Sequence, residues 1–256
     1  MPFAKNQDIE IYYEVAGQGP ALILAYGLTG DVTLWNETGY VDRLKEDFTV
    51  IAFDARGHGK SDKPYEAAAY DYELMAGDAI AVLDALGIDK AHYWGYSMGG
   101  CIGFVVAKNF SDRLISLILG GATPFGIPGS AEPNPVAELW RLGVQEGAGA
   151  VVERIRELQG SVSPQYENCL HRLDYRAMVA YAQNRRPSLE EDAAQIQVPC
   201  LFYAGDADEY AHQYVREAVH KLPNARFFSL LGYNHLEASD AAELLVPQVL
   251  SFIADL

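Results

Sequence analysis

The chain has 256 residues, half of them hydrophobic, and a formal net charge of −16 at pH 7. This length favours one substantial domain, and the acidic balance without a basic run argues against a nucleic-acid partner, whose phosphates require clustered Lys and Arg. The longest apolar runs, such as residues 21–26, are too short to span a bilayer, and the first residues lack a signal-peptide core. We expect a soluble, cytoplasmic protein with no membrane span.

The first third of the chain has the patterns of strands followed by one long helix. Residues 9–15, 21–26 and 48–53 are predicted strands, and the last two are apolar on both faces. Residues 73–86 carry apolar side chains around a helical period and stop at Gly87, a natural helix terminator. The segment therefore predicts a helix that follows the third strand.

Four further strands are predicted at residues 91–94, 114–119, 199–204 and 226–231. Each is a short apolar run that leads into a glycine-containing loop. Runs that are hydrophobic on both faces and separated by helices are typical of a parallel sheet covered on both sides. The sequence therefore predicts an α/β fold with a mainly parallel sheet.

The alternation of strands and helices stops between residues 122 and 187. Asn134-Pro135 and Ser163-Pro164 each put a capping side chain before a proline suited to the first helical position. After the second pair, the apolar residues between Tyr166 and Tyr181 fall on one helical stripe. We predict that residues 122–187 form a small helical cap on a core made of residues 1–121 and 188–256.

The three cysteines, Cys101, Cys169 and Cys200, are odd in number, widely spaced and set among apolar neighbours. This pattern supports neither a disulfide framework nor a zinc site, and we predict three buried thiols. The chain also lacks a His-Glu-x-x-His segment and a phosphate-binding glycine loop. We expect no metal and no organic cofactor.

Residues 95–100 read Gly-Tyr-Ser-Met-Gly-Gly and lie between a predicted strand and a predicted small-residue helix. Glycines at 95 and 99 allow the strand and the helix to approach closely, which forces Ser97 to project from a strained turn. The backbone N–H of Met98 then becomes a donor for an oxyanion. The alternative is a glycine-rich turn whose serine caps a helix.

Acid and base candidates follow Ser97 in the order that a serine nucleophile requires. Asp206 and Asp208 lie in the loop after the strand at 199–204, and His235 lies in the loop after the strand at 226–231. Ligands of open α/β sheets bind at the carboxyl ends of the strands. We therefore expect these side chains to lie near Ser97.

These motifs resemble the α/β-hydrolase family, and the resemblance covers essentially the whole core. It implies an eight-stranded sheet and a catalytic triad with Ser97 as nucleophile, His235 as base and Asp208, in the G-x-x-D loop, as acid. Asp206 is the competing acid, which we interpret as a loop-forming side chain. Residues 54–61 resemble the family's D-x-R-G-x-G-x-S loop, so His58 is interpreted as a polar turn residue and not as a second base.

The chain departs from the family where the strand at 21–25 should enter a His-Gly loop, because Tyr26 takes the place of the histidine. The second oxyanion donor is a backbone N–H, which the resemblance assigns to Leu28. Tyr26 either lines the substrate pocket, together with Tyr96, or packs in the core. The aromatic side chains Phe125, Trp140 and Tyr166 and the thioether of Met178 are expected to pack the cap helices and not to contact a ligand.

A serine nucleophile argues against dehalogenases and epoxide hydrolases, which use an aspartate, and leaves acyl chemistry. We predict a serine hydrolase that cleaves a small ester or lactone, with a small molecule as its partner and no oligomeric state indicated. Carbon-carbon bond hydrolases and perhydrolases use the same triad and stay open. A second class of function, a small-ligand receptor with slow turnover, is kept open by Tyr26.

Overall fold

The computed structural model describes residues 2–124, 137–184 and 188–256, and eight strands in these ranges form one sheet. The strands are β1 (Phe3–Asn6), β2 (Ile9–Ala16), β3 (Ala21–Ala25), β4 (Thr49–Phe53), β5 (Ala91–Tyr96), β6 (Leu114–Gly120), β7 (Cys200–Gly205) and β8 (Ala225–Leu230). Their order across the sheet is β1-β2-β4-β3-β5-β6-β7-β8. The predicted α/β fold with an eight-stranded sheet is confirmed.

The sheet is parallel from β4 to β8, and β1 and β2 are antiparallel to their neighbours. All residues of β5 and β7 are buried, which explains their continuous apolar sequences. The sequence pattern did not predict β1, because a four-residue strand with Lys5 and Asn6 at its end has no apolar run. It pairs with the first half of β2, where Phe3 lies opposite Tyr12.

Helices surround the sheet, and none in the described part of the chain has the length and apolar character needed to cross a membrane. The predicted helix at 73–86 is α3, which starts at the N-cap Asp71 and ends just before Gly87. The helices of the core are α1 (Val32–Glu37), α2 (Tyr40–Leu44), α3 (Tyr72–Ala85), α4 (Met98–Asn109), α9 (Glu209–Val219), α10 (His235–Ser239) and α11 (Ala242–Ala254). All three cysteines are buried thiols, as predicted.

Among the described residues between β6 and β7, the chain forms four more helices: α5 (Ala137–Glu146), α6 (Ala148–Gln159), α7 (Pro164–Arg172) and α8 (Tyr175–Ala182). The prediction of one continuous helix after Ser163 was wrong. Asp174 accepts hydrogen bonds from the amides of Arg176 and Ala177, and this cap starts a new helix. Helix α7 packs against α1, and α8 packs against α5. The predicted helix start at Asn134-Pro135 and the side chain of Phe125 lie outside the described residues.

The register of the parallel strands brings their carboxyl ends to one edge of the sheet. Ala25, the last residue of β3, pairs with Gly95 near the end of β5, and Gly120 at the end of β6 pairs with Tyr203 of β7. Gly205, the last residue of β7, pairs with the last residue of β8. The loops after β3, β5, β7 and β8 therefore meet at this edge.

Candidate active site

Ser97 occupies a one-residue turn between β5 and α4, with φ +50° and ψ −110°. A positive φ is unfavourable for a residue with a side chain and costs about 1–3 kcal/mol. Glycine is required on both sides of this turn. A Cβ on Gly95 would lie 2.4 Å from the carbonyl oxygen of Gly99, and one on Gly99 would lie 2.1 Å from that of Ala25. The close packing of strand and helix therefore holds Ser97 in its projecting conformation.

His235 is hydrogen-bonded to both of its predicted partners. Its Nε2 lies 3.0 Å from the Oγ of Ser97, and its Nδ1 lies 2.5 Å from Oδ2 of Asp208. A carboxylate next to Nδ1 favours the tautomer with a proton on that nitrogen. Nε2 is then the acceptor that faces the serine hydroxyl.

The two candidate acids have different partners. Asp208 caps α9, where its Oδ1 accepts the amide of Ala211, and its second oxygen faces His235. Burial opposes ionisation of Asp208, but its hydrogen bonds and the neighbouring histidine outweigh burial and lower the pKa of the carboxyl. Asp206 instead accepts the amide of Gly232 at 2.6 Å. It thus ties the loop after β7 to the loop that carries His235, consistent with the interpretation of a loop-forming side chain.

The backbone of His235 is held from both ends. Asn234 caps α10 in a reciprocal capping box with Glu237, which fixes the start of the helix at His235. The hydroxyl of Tyr96 donates a hydrogen bond to the carbonyl oxygen of His235. Since Tyr96 directly precedes Ser97, this hydrogen bond links the nucleophile's strand to the histidine's helix.

The loop after β3 carries Leu28 and is held by a buried histidine. Thr29 has φ +83°, and its amide donates to Nε2 of His58 at 3.2 Å. Nδ1 of His58 lies 3.1 Å from the carbonyl oxygen of Arg56, which fixes the tautomer. Burial lowers the pKa of His58 to about 4, so the ring is a neutral acceptor. The predicted polar turn residue is therefore buried and supports this loop.

Leu28 and Met98 are the two residues whose backbone amides are predicted to bind an oxyanion. Leu28 lines the cavity at the serine, and Met98 is the first residue of α4, whose N-terminal amides have no partner within the helix. Within the described residues, no protein atom accepts a hydrogen bond from either amide. Both N–H groups are therefore free to bind a negatively charged oxygen.

Tyr26 packs in the core and also lines the cavity. Its hydroxyl donates to Oγ of Ser239 at 2.9 Å and lies 3.3 Å from Oδ1 of Asp240. Its ring meets Trp35 edge-on at 5.0 Å between centroids. Burial, reinforced by Asp240, raises the pKa of the phenol well above its ordinary value. The hydroxyl is thus engaged within the protein while one side of the ring faces the cavity.

A cavity of about 240 Å³ opens at Ser97 and His235. Its lining is mostly apolar and comes from the sheet edge on one side and from α5, α6 and α7 on the other. We expected Trp140 and Tyr166 only to pack these helices, but both side chains also line the cavity. Nothing in the helical periodicity separates a residue that faces other helices from one that faces a cavity. The lining residues are Tyr26, Gly27, Leu28, Thr29, Tyr96, Ser97, Leu139, Trp140, Ile155, Leu158, Gln159, Tyr166, His235, Leu236 and Ser239.

The fold agrees with the comparison to known families. Residues 20–194, more than half of the chain, match the family described as alpha/beta hydrolase fold. The chain therefore belongs to the α/β hydrolase fold family. The predicted family resemblance is confirmed.

The chain is similar to several solved structures and curated relatives. An enol-lactonase from Burkholderia xenovorans LB400 matches with a TM-score of 0.84 at 24% identity, over 99% of this chain and 100% of that one. A thermophilic esterase from Thermogutta terrifontis has a TM-score of 0.82 at 23% identity, over 98% and 96%. A fluoroacetate dehalogenase of a Burkholderia species is 34% identical over 113 residues, which are 43% of this chain and 36% of that protein. The chain spans less than half the length of the curated relatives that it matches.

Proposed function

We propose that the protein is a serine hydrolase that cleaves a small carboxylic ester or lactone through an acyl-enzyme intermediate. The observation that carries this proposal is the hydrogen-bonded line from Asp208 through His235 to Ser97, which ends at an apolar cavity. A serine hydroxyl is a weak nucleophile until a base takes its proton. His235 is the base at the required distance, and Asp208 orients it and stabilises its charged form.

In the acylation step, the Oγ of Ser97 attacks the substrate carbonyl carbon while Nε2 of His235 takes the hydroxyl proton. The carbonyl oxygen becomes an oxyanion, which the amides of Leu28 and Met98 bind. Removing one such donor typically costs about 10²–10³ in kcat. When the tetrahedral intermediate collapses, His235 returns the proton to the leaving alcohol, and the acyl group stays on Ser97.

In the deacylation step, a water molecule takes the place of the alcohol. His235 accepts a proton from the water as its oxygen attacks the acyl carbon, and the same two amides bind the second oxyanion. Collapse of this intermediate breaks the bond to Ser97, and the proton on His235 returns to the serine oxygen. The products are a carboxylic acid and free enzyme. A lactone follows the same steps, with its alcohol attached to the acyl group.

The size and lining of the cavity support a small, apolar acyl group. A volume of about 240 Å³ lies below the roughly 300–1,000 Å³ of pockets that bind drug-sized ligands. We propose that residues 122–187 form a cap over a core made of residues 1–121 and 188–256, because α5, α6 and α7 cover this cavity. Two of the similar solved structures are named an enol-lactonase and an esterase, and lactones and esters are the substrates that we propose.

The other functions considered have less support. Dehalogenation by alkyl transfer requires a carboxylate nucleophile, and position 97 is a serine. The ligand-receptor alternative rested on Tyr26 in place of the usual oxyanion-loop histidine, but Tyr26 is hydrogen-bonded to Ser239 and His58 supports the loop at Thr29. Ester or lactone hydrolysis is therefore the function that the geometry favours.

Hydrolysis of para-nitrophenyl acetate, butyrate and octanoate by wild type, Ser97→Ala and Ser251→Ala tests the proposal. Ser251 is an exposed residue of α11 and provides a matched serine-to-alanine control. We expect multiple turnover by wild type and Ser251→Ala, fastest for the short chains, and a loss of at least about 10⁴-fold in Ser97→Ala. Equal slow release by all three proteins would overturn the proposal.

A further inference from the structure

Tyr166 is the second residue after the proline that starts α7, and its hydroxyl lies at the junction of this helix with the loop that carries Leu28. The backbone amide of Tyr166 donates to Oγ of the N-cap Ser163, which fixes the first turn of the helix. Its hydroxyl oxygen accepts a hydrogen bond from Oγ1 of Thr29 at 2.8 Å. The side chain is 9% exposed and lines the cavity. Burial and the fixed first turn of α7 therefore place the phenol in the lining of the cavity that contains Ser97.

The hydroxyl proton of Tyr166 has no acceptor among the described residues, since its oxygen serves only as an acceptor there. The other hydroxyl groups of the lining, Ser97 aside, each donate to a protein atom: Tyr26 to Ser239, Thr29 to Tyr166, Tyr96 to His235, and Ser239 to Leu236.

Two further polar side chains in the lining are less suited to bind a buried group. The Nε1 of Trp140 has no partner, but protein atoms cover it completely, so it presents no surface to the cavity. Gln159 is exposed to solvent. Among the described residues that line the cavity, and apart from the triad and the loop amides, Tyr166 thus provides the buried hydroxyl that can donate a hydrogen bond to a ligand.

The charge around this donor limits what it can bind. No Lys or Arg is among the described residues that line the cavity, and the chain as a whole carries a net charge of −16. A carboxylate placed here would lose its hydration without gaining a cation. Burial raises the pKa of Tyr166 to about 12, so the phenol keeps the proton that it would donate.

We propose that Tyr166 binds the substrate and donates a hydrogen bond to a second, uncharged oxygen, an ether or carbonyl oxygen apart from the one under attack. The inference rests on the proposed hydrolase function and narrows its substrate class to neutral esters or lactones with a further oxygen acceptor. A buried donor without an acceptor is unfavourable. Sites built around such a donor therefore reject analogues that lack the matching atom.

Three pairs of para-nitrophenyl esters test this inference: methoxyacetate with butanoate, 3-methoxypropanoate with pentanoate, and 4-methoxybutanoate with hexanoate. The members of a pair differ by an oxygen in place of a methylene group. The measured quantity is the ratio of kcat/KM for the ether to kcat/KM for the alkyl ester. Intrinsic differences in ester reactivity cancel when this ratio is compared between wild type and Tyr166→Phe.

We expect Tyr166→Phe to lower the ratio about three- to tenfold for at least one pair, which is the range of a single neutral hydrogen bond. Thr29→Val is the matched control, because it removes the same Thr29–Tyr166 hydrogen bond but leaves the phenol proton in place. Its ratio should equal that of wild type. The inference is overturned if Tyr166→Phe leaves all three ratios unchanged, or if Thr29→Val lowers them equally.

The two proposals fail in different ways. If wild type hydrolyses the esters and only the ratios are unaffected, the hydrolase function stands and the role of Tyr166 is wrong. If wild type hydrolyses none of the six esters, the proposed function is wrong for this class. The same comparison is then made with dissociation constants in Ser97→Ala and Ser97→Ala/Tyr166→Phe, where binding is independent of turnover. Equal ratios there, or no binding, would overturn the role of Tyr166.

Discussion

The cavity has a sheet side, formed by residues at the edge of the sheet such as Tyr26, Leu28 and Ser97, and a helical side, formed by α5, α6 and α7. The two sides are stabilised in different ways. On the sheet side, Ser97 is held by backbone geometry: a positive φ, two flanking glycines and an amide bonded to Gly120 of the neighbouring strand. On the helical side, α7 is joined to the core by side chains. Arg172 pairs with Asp31 at 3.0 Å, and Tyr166 accepts a hydrogen bond from Thr29.

This difference indicates that the two sides of the cavity have different roles, one in the reaction and the other in the choice of substrate. Backbone geometry depends on a few residue types at fixed spacing, so the position of the nucleophile does not depend on the side chains of the cap helices. The helical side contributes apolar and aromatic side chains, such as Leu139, Ile155 and Tyr166, that can be exchanged without moving the sheet. We infer that changes on the sheet side act mainly on kcat and that changes on the helical side act mainly on substrate preference.

The largest effect is expected from Asp208→Asn, compared with Asp206→Asn as a matched control. An amide at 208 no longer holds His235 in the required tautomer, and kcat should fall by about 10⁴. At 206, an asparagine oxygen can still accept the amide of Gly232, so kcat should fall less than about tenfold. Steady-state hydrolysis of para-nitrophenyl butyrate measures both, and far-ultraviolet circular dichroism checks folding. Equal losses in the two variants would contradict the assignment of the acid.

The sheet side was largely predictable from the sequence because its signals are local. The glycine spacing around Ser97 and the apolar strands before Asp208 and His235 determine where these residues lie relative to the sheet. The order of nucleophile, acid and base could then be read along the chain. What the sequence could not provide is the choice between Asp206 and Asp208 from residues alone, because both lie in the same short loop.

The helical side was not predictable, because its contacts join residues far apart in the chain. Tyr166 was correctly predicted to lie on the apolar stripe of a helix, yet its contact with Thr29 links positions that are 137 residues apart. The same holds for His58, which hydrogen-bonds the loop after β3 from the loop after β4. Helical periodicity predicts which face of a helix is buried, but it does not predict which residues elsewhere in the chain pack against that face.

The second expected effect concerns His58, which accepts a hydrogen bond from the amide of Thr29 in the loop after β3. Its pKa is about 4 in the folded protein and about 6.5 when exposed. Between these values the unfolded chain binds a proton that the folded protein excludes, so the free energy of unfolding falls as the pH drops from 6.5 to 4. This contribution should reach about 2–3 kcal/mol at pH 4.5.

Urea unfolding of wild type and His58→Gln at pH 7 and pH 4.5 measures this contribution. Wild type should lose about 2–3 kcal/mol more than His58→Gln on acidification, because glutamine does not titrate. Burial raises the pKa of Asp54 to about 6, which acts in the opposite direction, but that carboxyl is present in both proteins and cancels in the difference. Parallel losses in the two proteins would contradict a buried neutral His58.

The smallest expected effect comes from a network that connects the two sides at Asp240. The hydroxyl of Tyr26 lies 3.3 Å from one oxygen of Asp240, and Ser163 donates to the other at 3.2 Å. Tyr26 belongs to the sheet side and directly precedes the loop that carries Leu28. Ser163 belongs to the helical side and caps the helix that carries Tyr166. Removing the Tyr26 hydroxyl deletes its hydrogen bond to Ser239 and its contact with Asp240, and removing the Ser163 hydroxyl deletes a hydrogen bond to Asp240.

Tyr26→Phe and Ser163→Ala should therefore cost similar stability, about 1 kcal/mol each, but differ in kinetics. We expect Tyr26→Phe to lower kcat about two- to tenfold with little change in KM, because it loosens the loop that carries Leu28, the proposed oxyanion donor. Ser163→Ala should instead raise KM by a similar factor, because it loosens α7, whose Tyr166 we propose to bind the substrate in both ground state and transition state. Steady-state kinetics on para-nitrophenyl butyrate distinguish the two results. If both variants changed the same kinetic parameter, the cavity would respond as one unit, and the separation of chemistry from substrate choice would be wrong.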